Sequence, residues 1–376
     1  MVNPSLIPAA WREHDLKVKP YVLRNRVLSW SEKVMGVGLF LVLLSQGFFE
    51  GLEGYWASVI GNAYLVWLAF FGILAVGWEI LTLPFSILAQ AVEKQYQLSK
   101  QSWGAWAWDR VKGYLVGGVL GALVLFAVFF SFTVYTVDAW WVLALFLVLF
   151  SVLLAQLAPV LLIPIFLELK PMEDGPLKKR LLGLCEQFKI RVKDVYHLGM
   201  GAKTEKGNAA FMGLGATKRI VIGDTLYNKF SPEQVEAVFA HEVGHQVHHD
   251  LWKGLALSTA MMFLSFWVTQ LILLNGVYAY YGVDFSRPVG AMLFFVVLSI
   301  VQTPVSVLQA AFSRWRERMA DEFANQHGMS LELASALERL TEQNFGLFIP
   351  NAFREWWGFS HPAPWRRILK LRKTIE

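Results

Sequence analysis

The chain has 376 residues, of which 55% are hydrophobic, 15% aromatic and only 17% charged. A mean hydropathy of +0.43 is too apolar for an ordinary soluble chain and excludes a disordered one. The net charge of +5 is spread through loops without a basic-aromatic pattern, so nucleic acid is not an expected partner.

Residues 1–33 carry Arg12, Lys17, Lys19, Arg24, Arg26 and Lys33 and are broken by Pro4, Pro8 and Pro20. They do not form a cleavable signal peptide. Apolar runs follow at about 34–49, 63–89, 114–134, 139–167, 255–281 and 289–312, most of them longer than the ~20 residues a span needs. They predict six membrane-spanning helices. Lys and Arg are plentiful in 1–33, 90–113, 168–254 and from Arg314 onward. The connections at 50–62 and 135–138 have none, and 282–288 has only Arg287. This alternation puts both termini in the cytoplasm.

The polar sequence falls into two parts. In the insert 168–254, Leu177 to Ile190 reads as an amphipathic helix, and Gly199 to Gly207 as a polar loop. Strands near Ala209–Leu214 and Arg219–Gly223 flank a turn at Gly215-Ala216-Thr217-Lys218, which predicts a β-hairpin. Gly213-Leu214-Gly215 precedes a strand rather than a helix, so it is not a phosphate loop. Ser231-Pro232-Glu233-Gln234 then opens a helix with an N-cap, a proline at the first position and a capping box.

That helix carries His241-Glu242-Val243-Gly244-His245, an H-E-x-x-H motif. Histidines four apart share one helix face and can bind one Zn²⁺, with the intervening glutamate placed to take a proton from water. A catalytic zinc needs a third protein ligand. Glu317 and Asp321 directly follow the last span, on the same side of the membrane as the motif. They are four apart, so one would bind metal and the other would orient a ligand histidine. His248 and His249 are not expected ligands. Cys185 is the only cysteine, which excludes an intrachain disulfide and a cysteine zinc site; it reads as a small core residue.

Four blocks in order make the chain similar to the type I CAAX prenyl proteases, integral-membrane zinc endopeptidases, and more distantly to HtpX-type membrane proteases. They are Asn208-Ala209-Ala210-Phe211-Met212-Gly213 with Lys218 to Leu226, the zinc motif, Arg314-x-x-Glu317-x-x-Ala320-Asp321, and Ser360-His361-Pro362 with Arg367. The resemblance implies one zinc per chain, held by His241, His245 and Glu317. It makes Glu242 the general base and Asp321 the support of a ligand histidine. Asn208 and Ala209 would lie on a strand edge that pairs with an extended substrate. His361 would stabilise the tetrahedral intermediate, and Arg367 would lie nearby, beside the substrate. The implied fold is a ring of long helices around an intramembrane chamber. Eukaryotic members have seven spans, against six here.

The expected fold is therefore mostly α: a polytopic helical membrane protein with a split cytoplasmic zinc-metalloprotease domain containing a small β-hairpin. Residues 1–167 would hold the N-terminal segment and four spans, 168–254 the insert, 255–312 two further spans and 313–376 the part with the third ligand. Expected partners are a peptide or protein substrate and the lipid bilayer; oligomeric state is not legible. The membrane would be the inner membrane of a bacterium or the endoplasmic reticulum of a eukaryote. Membrane-protein quality control without prenyl specificity is the alternative role. A transporter would leave the zinc blocks unexplained, and an inactive scaffold would be expected to lack a required residue, whereas none is missing.

Overall fold

The computed structural model describes residues 7–213 and 215–373. Pro4 and Leu214, mentioned above, lie outside them. The membrane half begins with α1 (Ala9–Ser45), α2 (Phe48–Val59), α3 (Ala63–Gln95), α4 (Trp103–Phe130) and α5 (Ala139–Leu157). Asn62 and Ser102 cap α3 and α4, each accepting a backbone N–H through its side chain. The one-turn α6 (Ile163–Phe166) ends this half.

Among the described residues, five helical segments are long and apolar enough to cross a membrane: Ala9–Ser45, Ala63–Gln95, Trp103–Phe166, Asp250–Tyr281 and Pro288–Gln326. The third is 64 residues long. A π turn at Ser131–Tyr135 and a 3₁₀ turn at Thr136–Asp138 break it. Lys112 Nζ then donates 2.9 Å to the Ile165 carbonyl, so α4 and α5 form a hairpin. The apolar runs at 114–134 and 139–167 occupy its two arms.

Two features of this half differ from the sequence reading. The prolines do not break the N-terminal segment, because α1 continues through Pro20. An internal proline costs a helix about 3 kcal/mol, and tertiary contacts offset it here. Trp11, Asp15, Val18 and Tyr21 recur at helical spacing and are buried. Trp11 stacks on Phe348 at 4.9 Å, and the Asp15 carboxylate accepts the Phe348 and Ile349 N–H groups at 2.8 and 2.9 Å. The connection at 50–62 likewise holds a helix, α2.

The polar insert builds a four-stranded sheet. Its strands are β1 (Leu169–Pro171), β2 (Val195–Leu198), β3 (Ala209–Met212) and β4 (Arg219–Gly223), in the order β1-β2-β4-β3. The hairpin β3–β4 is antiparallel, with Ala209 opposite Ile222. Gly213 sits in its turn at φ 81°, where a Cβ would lie 2.5 Å from the Thr217 carbonyl oxygen. Only glycine fits. β2 pairs with β4 in parallel and β1 with β2 antiparallel. β4 is buried throughout, and β3 is an edge. The helix α7 (Pro176–Gln187) packs beside the sheet and buries Leu181, Leu184 and Cys185.

After the one-turn α8 (Asp224–Tyr227) comes α9 (Pro232–Val247). Its capping box is formed: Ser231 Oγ accepts from Gln234 N, and Gln234 Oε1 accepts from Ser231 N. The chain returns through α10 (Asp250–Ile272) and the short α11 (Tyr278–Tyr281), then enters the 39-residue α12 (Pro288–Gln326). α13 (Ser330–Gln343), α14 (Ala352–Gly358) and α15 (Pro364–Lys373) complete the described chain. One apolar core joins α7, β2, β4, α9, the end of α12, α13 and α15, with Cys185 in it. A second joins the membrane helices through residues such as Phe70, Phe132 and Phe294.

Candidate metal centre

α9 and α12 cross at Gly244. A Cβ there would lie 3.0 Å from Phe323 Cβ and 3.1 Å from Ala320 Cα. The close approach sets the histidines of α9 against the carboxylates of α12. Ligand atoms of His241, His245 and Glu317 all lie within 4.8 Å of one another. His241 Nε2 is 3.3 Å from Glu317 Oε2, and His245 Nε2 is 3.3 Å from Glu317 Oε1.

The opposite edge of each imidazole faces another carboxylate. Asp321 Oδ1 is 3.0 Å from His241 Nδ1, although off the line of a hydrogen bond. Asp250 Oδ2 is 2.7 Å from His245 Nδ1. Both rings thus turn Nε2 toward Glu317, as a carboxylate behind a ligand histidine would have them do. Arg367 holds Asp321 in a two-pronged pair, at 2.8 Å from Nε and 2.6 Å from Nη2.

The donor set suits a divalent cation. Glu317 Oε2 is buried and makes no hydrogen bond, although His241 Nε2 and Arg367 Nη1 lie 3.3 and 3.4 Å away, so a bound cation would give it the close partner it lacks. Two imidazoles and one carboxylate are a zinc-type set with room for a further ligand. Local charge points the same way. Burial opposes protonation of His241, yet Asp321 and Glu317 outweigh it and raise its pKa to about 9. His245 is raised as well: burial opposes this, and Glu317 and Asp250 overcome it. Burial also pushes the Glu242 carboxyl above its usual range, against the pull of the two histidines.

A cavity of about 260 Å³ opens on this cluster and is lined by Asn208, Ala209, His241, Glu242, Glu317, His361 and Arg367 among others. Of the site residues expected from the sequence, these seven line the cleft, while His245 and Asp321 stand behind it, against Glu317 and His241. His361 stands at its exposed rim, with Nε2 3.3 Å from Glu317 Oε1 and Nδ1 2.8 Å from Ser360 Oγ. Asn208 and Ala209 lie on the edge-strand side. Arg367 is buried and its guanidinium is engaged by Asp321, with Nη1 3.4 Å from Glu317. It lines the cleft, and its main contacts are with the carboxylates. His248 and His249 stand outside the cluster.

Asp250 is the site residue that sequence reasoning missed. Its signal is weak, an acid five positions after the second histidine. What places it is His249, which adopts the left-handed conformation at φ 55° and turns α10 back on α9.

A family model described as peptidase family M48 matches residues 171–375. The chain belongs to peptidase family M48. A second model, the CAAX prenyl protease N-terminal region with five membrane helices, matches residues 12–168 of this M48 protein. CAAX prenyl protease 1 of Saccharomyces cerevisiae is 27% identical over 82% of this chain and 72% of its own. The uncharacterized metalloprotease YhfN of Bacillus subtilis is 27% identical over 89% and 80%. The crystal structure of S. mikatae Ste24p superposes with a TM-score of 0.87 at 24% identity, covering 96% of this chain and 89% of that one. That superposition shows a shared fold. The M48 protein is thus a multi-pass membrane protease close to the CAAX prenyl protease 1 homologues.

Proposed function

We propose that this M48 protein is a zinc-dependent endopeptidase acting on peptide bonds at the cytoplasmic face of its membrane. The observation that carries the reading is the convergence of His241, His245 and Glu317, with His241, Glu242 and Glu317 lining the adjoining cleft. His241, His245 and Glu317 would hold one zinc ion, and when bound it supplies Lewis acidity toward a carbonyl and toward water. The cytoplasmic orientation rests on the alternation of Lys and Arg between connections.

The protein's own groups carry the remaining work. Glu242 takes a proton from the attacking water and returns it to the leaving amine. Burial raises its pKa above the ordinary carboxylate range, which favours holding that proton between the two transfers. His361, at the rim, donates a hydrogen bond from Nε2 to the oxyanion that develops on the carbonyl. The edge of β3 at Asn208 and Ala209 pairs with an extended substrate backbone and sets its register. Asp321 and Asp250 orient the two imidazoles, and Arg367 fixes Asp321.

The test uses purified protein with internally quenched peptides. Glu242→Gln should keep its metal and its melting temperature while losing cleavage. His241→Ala, His245→Ala and Glu317→Ala should lose the metal. Near-normal turnover in Glu242→Gln, or full metal retention in Glu317→Ala, would sink the corresponding role. The name of the yeast relative raises prenylated proteins as substrates. A comparison of farnesylated and unmodified peptides decides whether that extends to this chain.

A further inference from the structure

The open edge of β3 ends on a side chain from another helix. Gly223 N donates to the Asn208 carbonyl oxygen at 2.8 Å, so Asn208 turns its main-chain groups toward β4. In the same ladder Ala209 is opposite Ile222 and Ala210 opposite Val221. Antiparallel pairs alternate between bonded and non-bonded, so successive residues of a strand offer their N–H and C=O groups to opposite sides. Ile220 N donates away from β3, to the Asp194 carbonyl oxygen at 3.1 Å, which fixes the same phase on β4. Gly207, Ala209 and Phe211 therefore present their main-chain groups on the open edge. At Gly207 that edge is taken. Its N–H donates to Asn344 Oδ1 at 2.9 Å, and its carbonyl oxygen accepts from Asn344 Nδ2 at 3.4 Å.

The way α13 ends leaves that carboxamide available. Phe345 N donates to the Glu342 carbonyl oxygen at 3.1 Å and Gly346 N to that of Thr341 at 2.8 Å, with Phe345 left-handed at φ 52°. These two bonds make a Schellman turn, which satisfies the last helical carbonyls with main chain alone. A phenylalanine at positive φ is unfavourable by itself. Its ring is held edge-on by Tyr21 and Tyr96, 5.7 Å from each. The neighbouring Gln343 Nε2 donates to the Glu205 carbonyl oxygen at 2.5 Å, so both side chains grip the segment that leads into β3. A carboxamide has one acceptor oxygen beside one donor nitrogen and can bond both main-chain groups of a residue, as a partner strand does. The Gly207 N–H can only donate, which requires the Asn344 oxygen to face it. Gly207, Ala209 and Asn344 all line the catalytic cleft.

We infer that Asn344 is a substrate-positioning residue: it stands in for a partner strand at Gly207 and closes the edge there, so that a bound peptide pairs with Ala209 and Phe211 and leaves β3 at Asn344. The inference rests on the strand-pairing part of the proteolytic reading. A free edge would offer a peptide a rung every second residue, at Gly207, Ala209 and Phe211. Asn344 removes the first of these and limits how far the peptide can follow β3 past the metal site. Asn344→Ala would reopen the rung at Gly207. Asn344→Asp keeps an acceptor for the Gly207 N–H and would leave the rung closed.

The test replaces each backbone N–H of one fluorescein-labelled peptide in turn by an ester oxygen, which removes a donor without adding bulk. The peptide is the tightest binder of a small random set. Binding of the series to zinc-loaded Glu242→Gln is read by fluorescence anisotropy and does not depend on turnover. Loss of one hydrogen bond should weaken binding about threefold to tenfold. With Asn344 intact, two alternating positions should be sensitive, those facing Ala209 and Phe211. With Asn344→Ala added, a third should become sensitive by the same factor, two residues further along. Asn344→Asp should keep the two-position pattern. Metal content and melting temperature of the same preparations show whether each variant is folded. A pattern that Asn344→Ala leaves unchanged would make Asn344 a tether of the 205–207 segment only and overturn the inference. Three alternating sensitive positions with Asn344 intact overturn it without any variant of Asn344. Absence of alternation, or of binding, in every chain overturns it as well, because the peptide then does not pair with β3. If the wild type cleaves no peptide of the set yet the two patterns differ as expected, the proteolytic reading fails and the positioning role stands.

Discussion

Arg367 and Asp321 are joined by two buried hydrogen bonds, Nε to Oδ2 at 2.8 Å and Nη2 to Oδ1 at 2.6 Å. The pair clips α15 to α12 and faces His241 across Asp321 Oδ1, at 3.0 Å. It therefore ties the docking of the last described helix to the orientation of a candidate metal ligand. Removing one partner leaves the other charge buried and unpaired, which typically costs about 3–5 kcal/mol. Arg367→Met should lower the melting temperature strongly. Asp321→Ala should do the same and also weaken metal binding. Unchanged melting and metal content in both variants would show the pair to be dispensable.

Asp250 offers a narrower test. Its Oδ2 is 2.7 Å from His245 Nδ1, and it is the first residue of α10. Loss of a carboxylate behind a ligand histidine typically weakens metal affinity about 10–100-fold. Asp250→Asn keeps the shape and a side-chain oxygen, so it should bind metal more tightly than Asp250→Ala. Competition with a zinc chelator of known affinity measures both. Equal affinities for wild type and Asp250→Ala would show that Asp250 only caps α10.

Cys185 bears on topology. It is buried against the sheet, and burial pushes its thiol pKa up to about 12. A thiol so protonated and enclosed reacts slowly. In opened membranes a maleimide should leave Cys185 unmodified, so labelling studies need no cysteine-free background. Ser58→Cys, on the exposed part of α2, should react with a membrane-impermeant reagent in intact cells if residues 50–62 face outward. Labelling of the wild-type chain in opened membranes would contradict the burial. Protection of Ser58→Cys in intact cells would reverse the orientation.

The parts of this molecule that could be read from sequence are those whose cause is local. The capping box at Ser231 and Gln234, the spacing of His241 and His245, and the β3–β4 hairpin each depend on residues within a few positions. Glu317 and Asp321 were legible as a pair on one face; their spacing left the roles open, the family resemblance assigned them, and the crossing of α9 and α12 sets Glu317 against both Nε2 atoms and Asp321 behind His241. β1 and β2 span three and four residues, too few to show a period, and β2 pairs in parallel with a distant β4. The continuation of α1 through Pro20 depends on what Trp11 and Asp15 meet near Phe348. Asp250 depends on one left-handed residue, His249, and a histidine there gives little warning of it.

Gly244 is one of the two residues in the motif that sequence patterns leave free, and the structure gives it a definite task. In an exposed helix, Gly→Ala stabilises by about 1 kcal/mol, because alanine loses less backbone freedom. At Gly244 the added methyl would stand 3.0 Å from Phe323 Cβ and 3.1 Å from Ala320 Cα. Neither atom can swing aside like the tip of a long side chain, so the two helices must separate by a few tenths of an ångström. Overpacking of this kind typically costs about 1–3 kcal/mol, which outweighs the propensity gain. The same separation would draw His241 and His245 away from Glu317, whose oxygens lie 3.3 Å from each Nε2. Gly244→Ala should therefore lose metal affinity by more than it loses stability, since the ligand geometry changes directly. Gly244→Ala combined with Ala320→Gly should recover part of both, because the second substitution opens space on the facing helix. Metal titration and thermal melting of the single and double variants check this. A single variant that melts higher than the wild type and binds metal equally well would show that the helices do not need glycine at their crossing.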